Sequence, residues 1–417
     1  MTPRSLVILD RDAQPGAAAS SPGPAAPERR PGLSGLAPEH LAAWLAERGE
    51  PAYRARQIAD GLWRGLVRDA DDLPTLPRPL RAALAAEFRV DTIESSELAL
   101  SDGGLTEKAL HRLSDGQVVE SVLMRYPGRA GRRERNTVCI SSQAGCAVGC
   151  PFCATGELGF GRDLETAEIV DQVRVAARRL AGEGRRLTNV VFMGMGEPLL
   201  NLDRVLDAVA VLSDPARFGL GARHIAVSTS GVVPGIRRLT ALGPQFTLAI
   251  SLHGARDPLR DVLVPLNRRW PVAEVVAAAR DHARATGRRV SYEYVLIDGV
   301  NDTERDASAL ADLLRGDLAH VNLIPMNPVA HTPWTASPPD VVERFAARVR
   351  AAGIGVTVRR NRGQEVGAAC GQLAAERAGT PPVAAVARRR ARLVAQSAAA
   401  LRGERPVAAE AESGPAD

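Results

Sequence analysis

From Asn136 to Arg359, short runs rich in Val, Ile and Leu alternate with longer stretches of helical spacing, and few folds accommodate that order. Strands are predicted at Asn136–Ser142, Asn189–Met193, Ile225–Ser228, Thr247–Ser251, Val290–Leu296, Val321–Ile324 and Val356–Arg359. Helices are predicted near 164–181, 203–212, 235–241, 272–286, 304–314 and 338–352. Each strand–helix–strand step needs a crossover, so the strands run parallel with helices packed outside. Six such units fit an open partial (β/α)6 barrel, an α/β fold. In barrels of this kind reacting groups gather at the strand C-termini. One further strand, Val118–Tyr126, precedes the series.

The loop after the first barrel strand carries Cys146, Cys150 and Cys153 at CxxxCxxC spacing. Structural zinc recruits four ligands, usually from two close pairs, and no fourth cysteine or histidine is near. A [4Fe–4S] cube held by three thiolates keeps one iron open to a small molecule. The triplet therefore points to such a cluster; a zinc knuckle or three unrelated thiols is the competing reading. The next strand ends in Gly194-Met195-Gly196-Glu197-Pro198, where glycines allow close backbone approach and Glu197 offers a carboxylate. Other strand ends carry Ser228, then Ser251-Leu252-His253, then Asn327. Singly, each is an ordinary cap or loop residue; together they share one face of the barrel.

Two cysteines lie outside the triplet. Cys139 is in the strand before the cysteine loop, and Cys370 is in a glycine-flanked segment after the last strand, placed to fold over the barrel mouth. Either is by default an inert buried thiol. Glu120 stands inside an apolar strand, where a carboxylate is costly unless paired or used.

The triplet and the glycine turn resemble those of the radical S-adenosylmethionine (SAM) superfamily, whose open iron chelates SAM. Five segments in order narrow the resemblance: Gly194-Met195-Gly196-Glu197-Pro198-Leu199-Leu200-Asn201, Ser228-Thr229-Ser230-Gly231-Val232-Val233-Pro234, Ile250-Ser251-Leu252-His253, Asn322-Leu323-Ile324-Pro325-Met326-Asn327-Pro328 and Ala368-Ala369-Cys370-Gly371-Gln372-Leu373. Over roughly 38–375 the chain is similar to the bacterial dual-specificity RNA methyltransferases that methylate C2 of adenine in 23S rRNA and in tRNA anticodon loops. The resemblance implies a [4Fe–4S] cluster on Cys146, Cys150 and Cys153, with SAM held by Gly196, Glu197, Ser228, Ser251, Leu252, His253 and Asn327. It implies Cys370 as methyl carrier, Cys139 as the thiol that resolves the protein–RNA adduct through a Cys139–Cys370 disulfide, and Glu120 as proton acceptor. Between Glu120 and Cys139 as acceptor of the C2 proton the choice stays open. A reducing, flavodoxin-like electron donor and a monomeric enzyme are further implications. The related C8-adenine methyltransferases share both extra cysteines and are the alternative. Other radical SAM classes would not need Cys139 and Cys370, and a zinc-stabilised RNA-binding module would not need the SAM motifs.

Four segments are expected: a disordered extension over 1–37, a helical accessory domain over 38–95, the barrel with its C-terminal catalytic loop over 96–375, and an Ala/Arg-rich tail over 376–417 with a weak helix near 383–401. In the accessory domain Leu41, Trp44 and Leu45, then Ile58, Leu62 and Trp63, fall at helical spacing. Arg54, Arg56 and Arg64 there contact nucleic acid or form a solvated face, as do the arginines of the 126–135 linker. Net charge is +5 and Lys108 is the only lysine. Arginine suits RNA phosphate, although a GC-rich genome produces the same bias. Five cysteines in this pattern argue against a secreted disulfide framework, Leu6–Leu9 is too short for a signal peptide, and no apolar run is of membrane-spanning length. A cytoplasmic enzyme is expected.

Overall fold

The structure, a computed structural model, describes residues 30–128, 131, 133–359, 361–373 and 383–405. The expected extension up to position 29 and the tail beyond 405 lie outside those residues. Residues 30–37 do not belong to a disordered extension. Leu33 is buried and its N–H donates to Arg89 O at 2.8 Å. Leu33 packs with Trp44, Leu45, Ile58, Leu62 and Leu84 in an apolar cluster separate from that of the barrel. Three helices enclose this cluster: α1 (Pro38–Ala46), α2 (Tyr53–Asp60) and α3 (Arg78–Glu87). Prolines open α1 and α3, where the missing N–H leaves no bond unmade. Trp44 meets the edge of Phe88 with ring centroids 5.4 Å apart.

The strands begin with an antiparallel arm, β1 (Ile93–Ser101), β2 (Thr106–Leu113) and β3 (Val118–Tyr126), which pairs onto β4 (Arg135–Cys139). Next come the short β5 (Gln143–Gly145), α4 (Ala154–Leu158) and β6 (Phe160–Asp163), with β5 and β6 pairing as a ribbon around the cysteine loop. The alternating series then runs α5 (Thr166–Gly182), β7 (Asn189–Phe192), α6 (Leu202–Ser213), β8 (Ile225–Thr229), α7 (Val233–Leu242), β9 (Thr247–Ser251), α8 (Asp257–Leu263) and α9 (Val272–Thr286). It ends with β10 (Val290–Leu296), α10 (Glu304–Leu313), β11 (Ala319–Pro325), α11 (Pro339–Ala351), β12 (Gly355–Val358) and, after the loop carrying Cys370, α12 (Val383–Arg402).

Ten strands form one sheet in the order β1-β2-β3-β4-β7-β8-β9-β10-β11-β12. From β4 to β12 every pairing is parallel, which gives the six crossovers of the open partial barrel. Each of its strands therefore ends at the same rim. Phe192, Phe246, Tyr292 and Tyr294 are among the largest wholly buried side chains, each stabilising the fold by about 1.5–3 kcal/mol through burial. The arm β1–β2 was not anticipated, and β1 shows why: from Glu94 to Ala99 only Ala99 is more than marginally covered. An exposed edge strand lacks the apolar alternation that marks a strand in sequence.

The accessory helices are fixed to the barrel by buried charge. Asp171 on α5 accepts from Thr92 N at 2.8 Å, Thr92 Oγ1 at 2.7 Å and Arg174 Nη1 at 2.6 Å. The same Arg174 nitrogen donates to Val90 O at 2.9 Å. Among the described residues no helix is long and apolar enough to cross a membrane.

Candidate active site

A cavity of about 140 Å³, partly open to solvent, lies at the strand C-termini. Cys146, Cys150 and Cys153 form part of its wall, and all are free thiols. The β5–β6 ribbon presents them. Its turn passes through Gly145 at φ +78°, where a Cβ would overlap Gly159 O, and Cys146 N donates to that same carbonyl at 2.9 Å. Burial pushes the Cys146 thiol up to about 12 and the Cys150 thiol well above its usual range. Thiols this reluctant to ionise become thiolates when a cation compensates the charge. Among the described residues no three His, Cys, Asp or Glu side chains converge tightly enough for one metal ion. Three free sulfurs on one cavity wall suit three corners of a cluster.

The glycine turn after β7 is fixed by the neighbouring strand. Gly194 N donates to Ile140 O at 3.0 Å, and Met195 N donates to Ser141 Oγ at 2.9 Å. Gly196 has φ +102°, and a Cβ there would stand 2.6 Å from Gln143 Cβ. Only glycine fits. Glu197, also on the cavity wall, is buried. Its carboxylate accepts from Ser230 N and Ser230 Oγ at 2.7 Å each and from Leu199 N at 3.0 Å. Burial nonetheless raises its pKa. The Thr229 hydroxyl bonds the same carboxylate, so four donors fill its roughly four lone-pair sites and hold it at the cavity wall.

Of the other expected SAM contacts, Ser228, Ser251, His253 and Asn327 border the cavity. Ser228 Oγ donates to Phe192 O at 2.7 Å. His253 holds φ +57°, accepts from Val295 N through Nδ1 at 3.1 Å, and is pushed down to about 3 by burial and then by Arg260. It is a neutral ring set edge-on to Phe152, with centroids 4.8 Å apart. Asn327 is engaged with the C-terminal loop: its Nδ2 donates to Cys370 O at 2.9 Å and its Oδ1 accepts from Gln364 Nε2 at 2.7 Å. Leu252 does not border the cavity. It is wholly buried, its N–H donates to Glu293 O at 3.0 Å, and its carbonyl accepts from Arg260 Nε at 3.0 Å.

Cys370 borders the same cavity as the triplet. The loop carrying it is bonded directly to the cysteine loop, with Ala154 N donating to Gly371 O at 2.7 Å and Thr155 Oγ1 to Leu373 O at 2.6 Å. Although Cys370 retains accessible surface, that surface is cavity wall. Enclosure raises its thiol to about 11 against the opposing pull of Arg359. Cys139 and Glu120 do not line the cavity. Cys139 is buried on β4, and its thiol is raised to about 12 by burial and then by the charge of the neighbouring Cys370. It pairs with Val122, two residues from Glu120, so Glu120 and Cys139 share one sheet face. Glu120 is wholly buried, with Lys108 Nζ 3.4 Å from its Oε1.

Three wall or framework residues escaped the sequence reading. Glu293 and Arg359 line the cavity, with Glu293 Oε2 3.5 Å from Arg359 Nη1. Arg260 is buried and joins two strand ends, donating to Ser230 O at 2.6 Å and Leu252 O at 3.0 Å. The in-strand carboxylate of Glu293, like that of Glu120, was a usable signal; the arginines gave none.

Residues 140–311 match the model of the radical SAM superfamily. Parafrankia sp. (strain EAN1pec) has a probable dual-specificity RNA methyltransferase RlmN that is 52% identical over 365 residues, covering 84% of this chain and 92% of its own. That of Mycolicibacterium paratuberculosis (strain ATCC BAA-968 / K-10), carrying the same description, is 50% identical over 363 residues, 86% of this chain and 98% of its own. Among solved structures, a radical SAM methyltransferase from Sphaerobacter thermophilus superposes with a TM-score of 0.79 at 48% identity, over 83% of this chain and 100% of that one.

Proposed function

The chain belongs to the RlmN family of dual-specificity RNA methyltransferases within the radical SAM superfamily, and on that premise we propose how its own residues serve the reaction. The enzyme methylates C2 of an adenine in 23S rRNA and in tRNA anticodon loops. C2 of adenine is an electron-poor carbon bearing hydrogen, so polar displacement on SAM does not reach it. The residues fit the cofactors that the family implies: three free thiols and the carboxylate of Glu197 face one cavity, and Gly196 lets the turn that carries Glu197 close against Gln143. Cys146, Cys150 and Cys153 would hold a [4Fe–4S] cluster, while Gly196, Glu197, Ser228, Ser251, Leu252, His253 and Asn327 would hold SAM. When bound, these groups supply the methyl group, the electron and the radical chemistry.

Cys370 carries the carbon. Its thiolate, favoured by Arg359, is the form that accepts a methyl group. Its seat on the same cavity wall as the triplet supports that role, and this is the observation that carries the reading. Once the carbon is joined to the base, Cys139 supplies the sulfur that forms a disulfide with Cys370 as the bond from Cys370 to carbon breaks. Glu120, beside Lys108, or Cys139 takes the C2 proton. The target adenine must leave its stack to enter the cavity, at a cost of a few kcal/mol that is least in loops. The helical unit assists RNA docking, a flavodoxin-like protein supplies electrons, and the enzyme works as a monomer in the reducing cytoplasm.

Anaerobic reconstitution with iron, sulfide, SAM, reductant and an rRNA fragment tests the reading. Nucleoside mass spectrometry should find 2-methyladenosine. Formation of 8-methyladenosine would instead select the C8 alternative, and no methylated adenosine would refute both.

A further inference from the structure

The tail helix α12 has twenty residues without a single carboxylate and carries Arg388, Arg389, Arg390, Arg392 and Arg402. Its inner face is buried through Leu393, Ser397 and Ala400, a helical stripe packed against α8. Its first half is tied to the rim of the cavity. Arg389 pairs with Glu157 on α4, the helix that starts immediately after Cys153. Arg390 Nη2 donates to Ala330 O at 2.8 Å, and the adjacent His331 Nε2 is bonded to Pro151 O of the cysteine loop at 2.9 Å. Beyond the helix, Arg405 Nε lies 3.7 Å from Asp261 Oδ2 on α8. The helix is therefore held at both ends, and its first half lies against segments adjoining the cysteine loop.

We propose that the outer face of α12 binds the RNA phosphate backbone at the cavity rim, through Arg388 and Arg392. Both are exposed, and neither pairs with a carboxylate among the described residues. An acid-free helix with unpaired guanidinium groups attracts polyanions, and arginine bonds phosphate in a two-pronged fashion. A flipped adenine entering the cavity brings its flanking phosphates to this rim. Such contacts fix register without reading sequence, which suits one enzyme that accepts two different RNAs. The proposal rests on the reading of the chain as an RNA methyltransferase.

The test uses the full chain and fluorescence anisotropy with a labelled RNA hairpin carrying a loop adenine, titrated across salt concentrations. The double variant R388E/R392E should weaken binding roughly tenfold at about 0.1 M salt and flatten the slope of log affinity against log salt by about 1.5. The neutral R388Q/R392Q should flatten the slope similarly with a smaller loss of affinity, and unchanged thermal midpoints would show that both remain folded. A charge-matched control, R237E/R284E on the outer helices α7 and α9, should leave the slope near that of the unaltered protein. An unchanged slope in both rim variants would overturn the proposal, as would an equal change in the control, which would reduce the effect to net charge. If the unaltered protein itself fails to bind RNA, the RNA reading falls along with the rim contact.

Discussion

The seam between α5 and the accessory helices and the mouth of the barrel both bury charged and polar groups, but they differ in how far those groups are satisfied. At the seam Asp171 accepts three hydrogen bonds, and Arg174 reaches both a carboxylate and a carbonyl, with its Nε alone left unpaired. At the mouth three thiols face open space, and Glu293 Oε2 accepts no hydrogen bond. Saturated polar groups hold elements together, whereas unsaturated ones around a cavity are available to something that enters. Depth of burial alone does not separate the two uses; remaining bonding capacity does.

Substitution at the mouth should remove chemistry and spare the fold. Cys370→Ala is expected to abolish RNA methylation, read by nucleoside mass spectrometry, while the thermal midpoint stays close to that of the unaltered protein. Full methylation by this variant would end the methyl-carrier role. Cys139→Ala should stop turnover later, leaving a protein–RNA adduct that migrates as a shifted band on a denaturing gel. A clean single band with product formed would place resolution on another group.

The seam should behave in the opposite way. Asp171→Asn leaves the Arg174 guanidinium buried without its carboxylate, and breaking such a pair costs about 3–5 kcal/mol. Asp91 is close enough to Asp171 for their charges to interact, so the lower end of that range, about 3 kcal/mol, is expected in denaturant unfolding. Retained iron content in the surviving folded fraction would sharpen the contrast; a loss below about 1 kcal/mol would break it.

Much of the mouth was legible because its signals are local. The triplet, the Gly194–Glu197 turn and Cys370 each occupy a few consecutive residues, and the alternation of strand and helix dictates which strand ends they share. What escaped depends on distance along the chain. Glu293 and Arg359 meet across two crossovers, and Arg260 reaches back thirty residues to Ser230, so no short window of sequence contains both partners. Leu252 stands in a motif with Ser251 and His253, yet alternation along the chain turns its side chain into the core. Asn327 offers the right chemistry for a ligand but is engaged in pinning the loop of Cys370, a use visible only once that loop has folded back. The arm β1–β2 was hidden for a simpler reason: an edge strand made largely of exposed Ser and Glu carries no burial pattern.

The smallest effect comes from a second saturated group, His111 on β2. Its ring bonds Ser96 Oγ at 2.8 Å and Ser121 Oγ at 2.7 Å, and burial, with a lesser contribution from Arg178, holds its pKa down at about 3 against a usual 6.5. The folded value lies below the unfolded one, so the unfolded chain binds the extra proton over that interval. Stability from this group is present above pH about 6.5 and is lost progressively as pH falls toward 3. Between pH 6.5 and 5, mostly above the carboxylate range, one such histidine accounts for about 1.5 kcal/mol. His111→Gln should therefore flatten the dependence of unfolding free energy on pH in that window by about that amount. Curves for the variant and the unaltered protein that fall in parallel would mean that His111 takes up its proton without unfolding, and that this part of the arm retains spare bonding capacity of the kind found at the mouth.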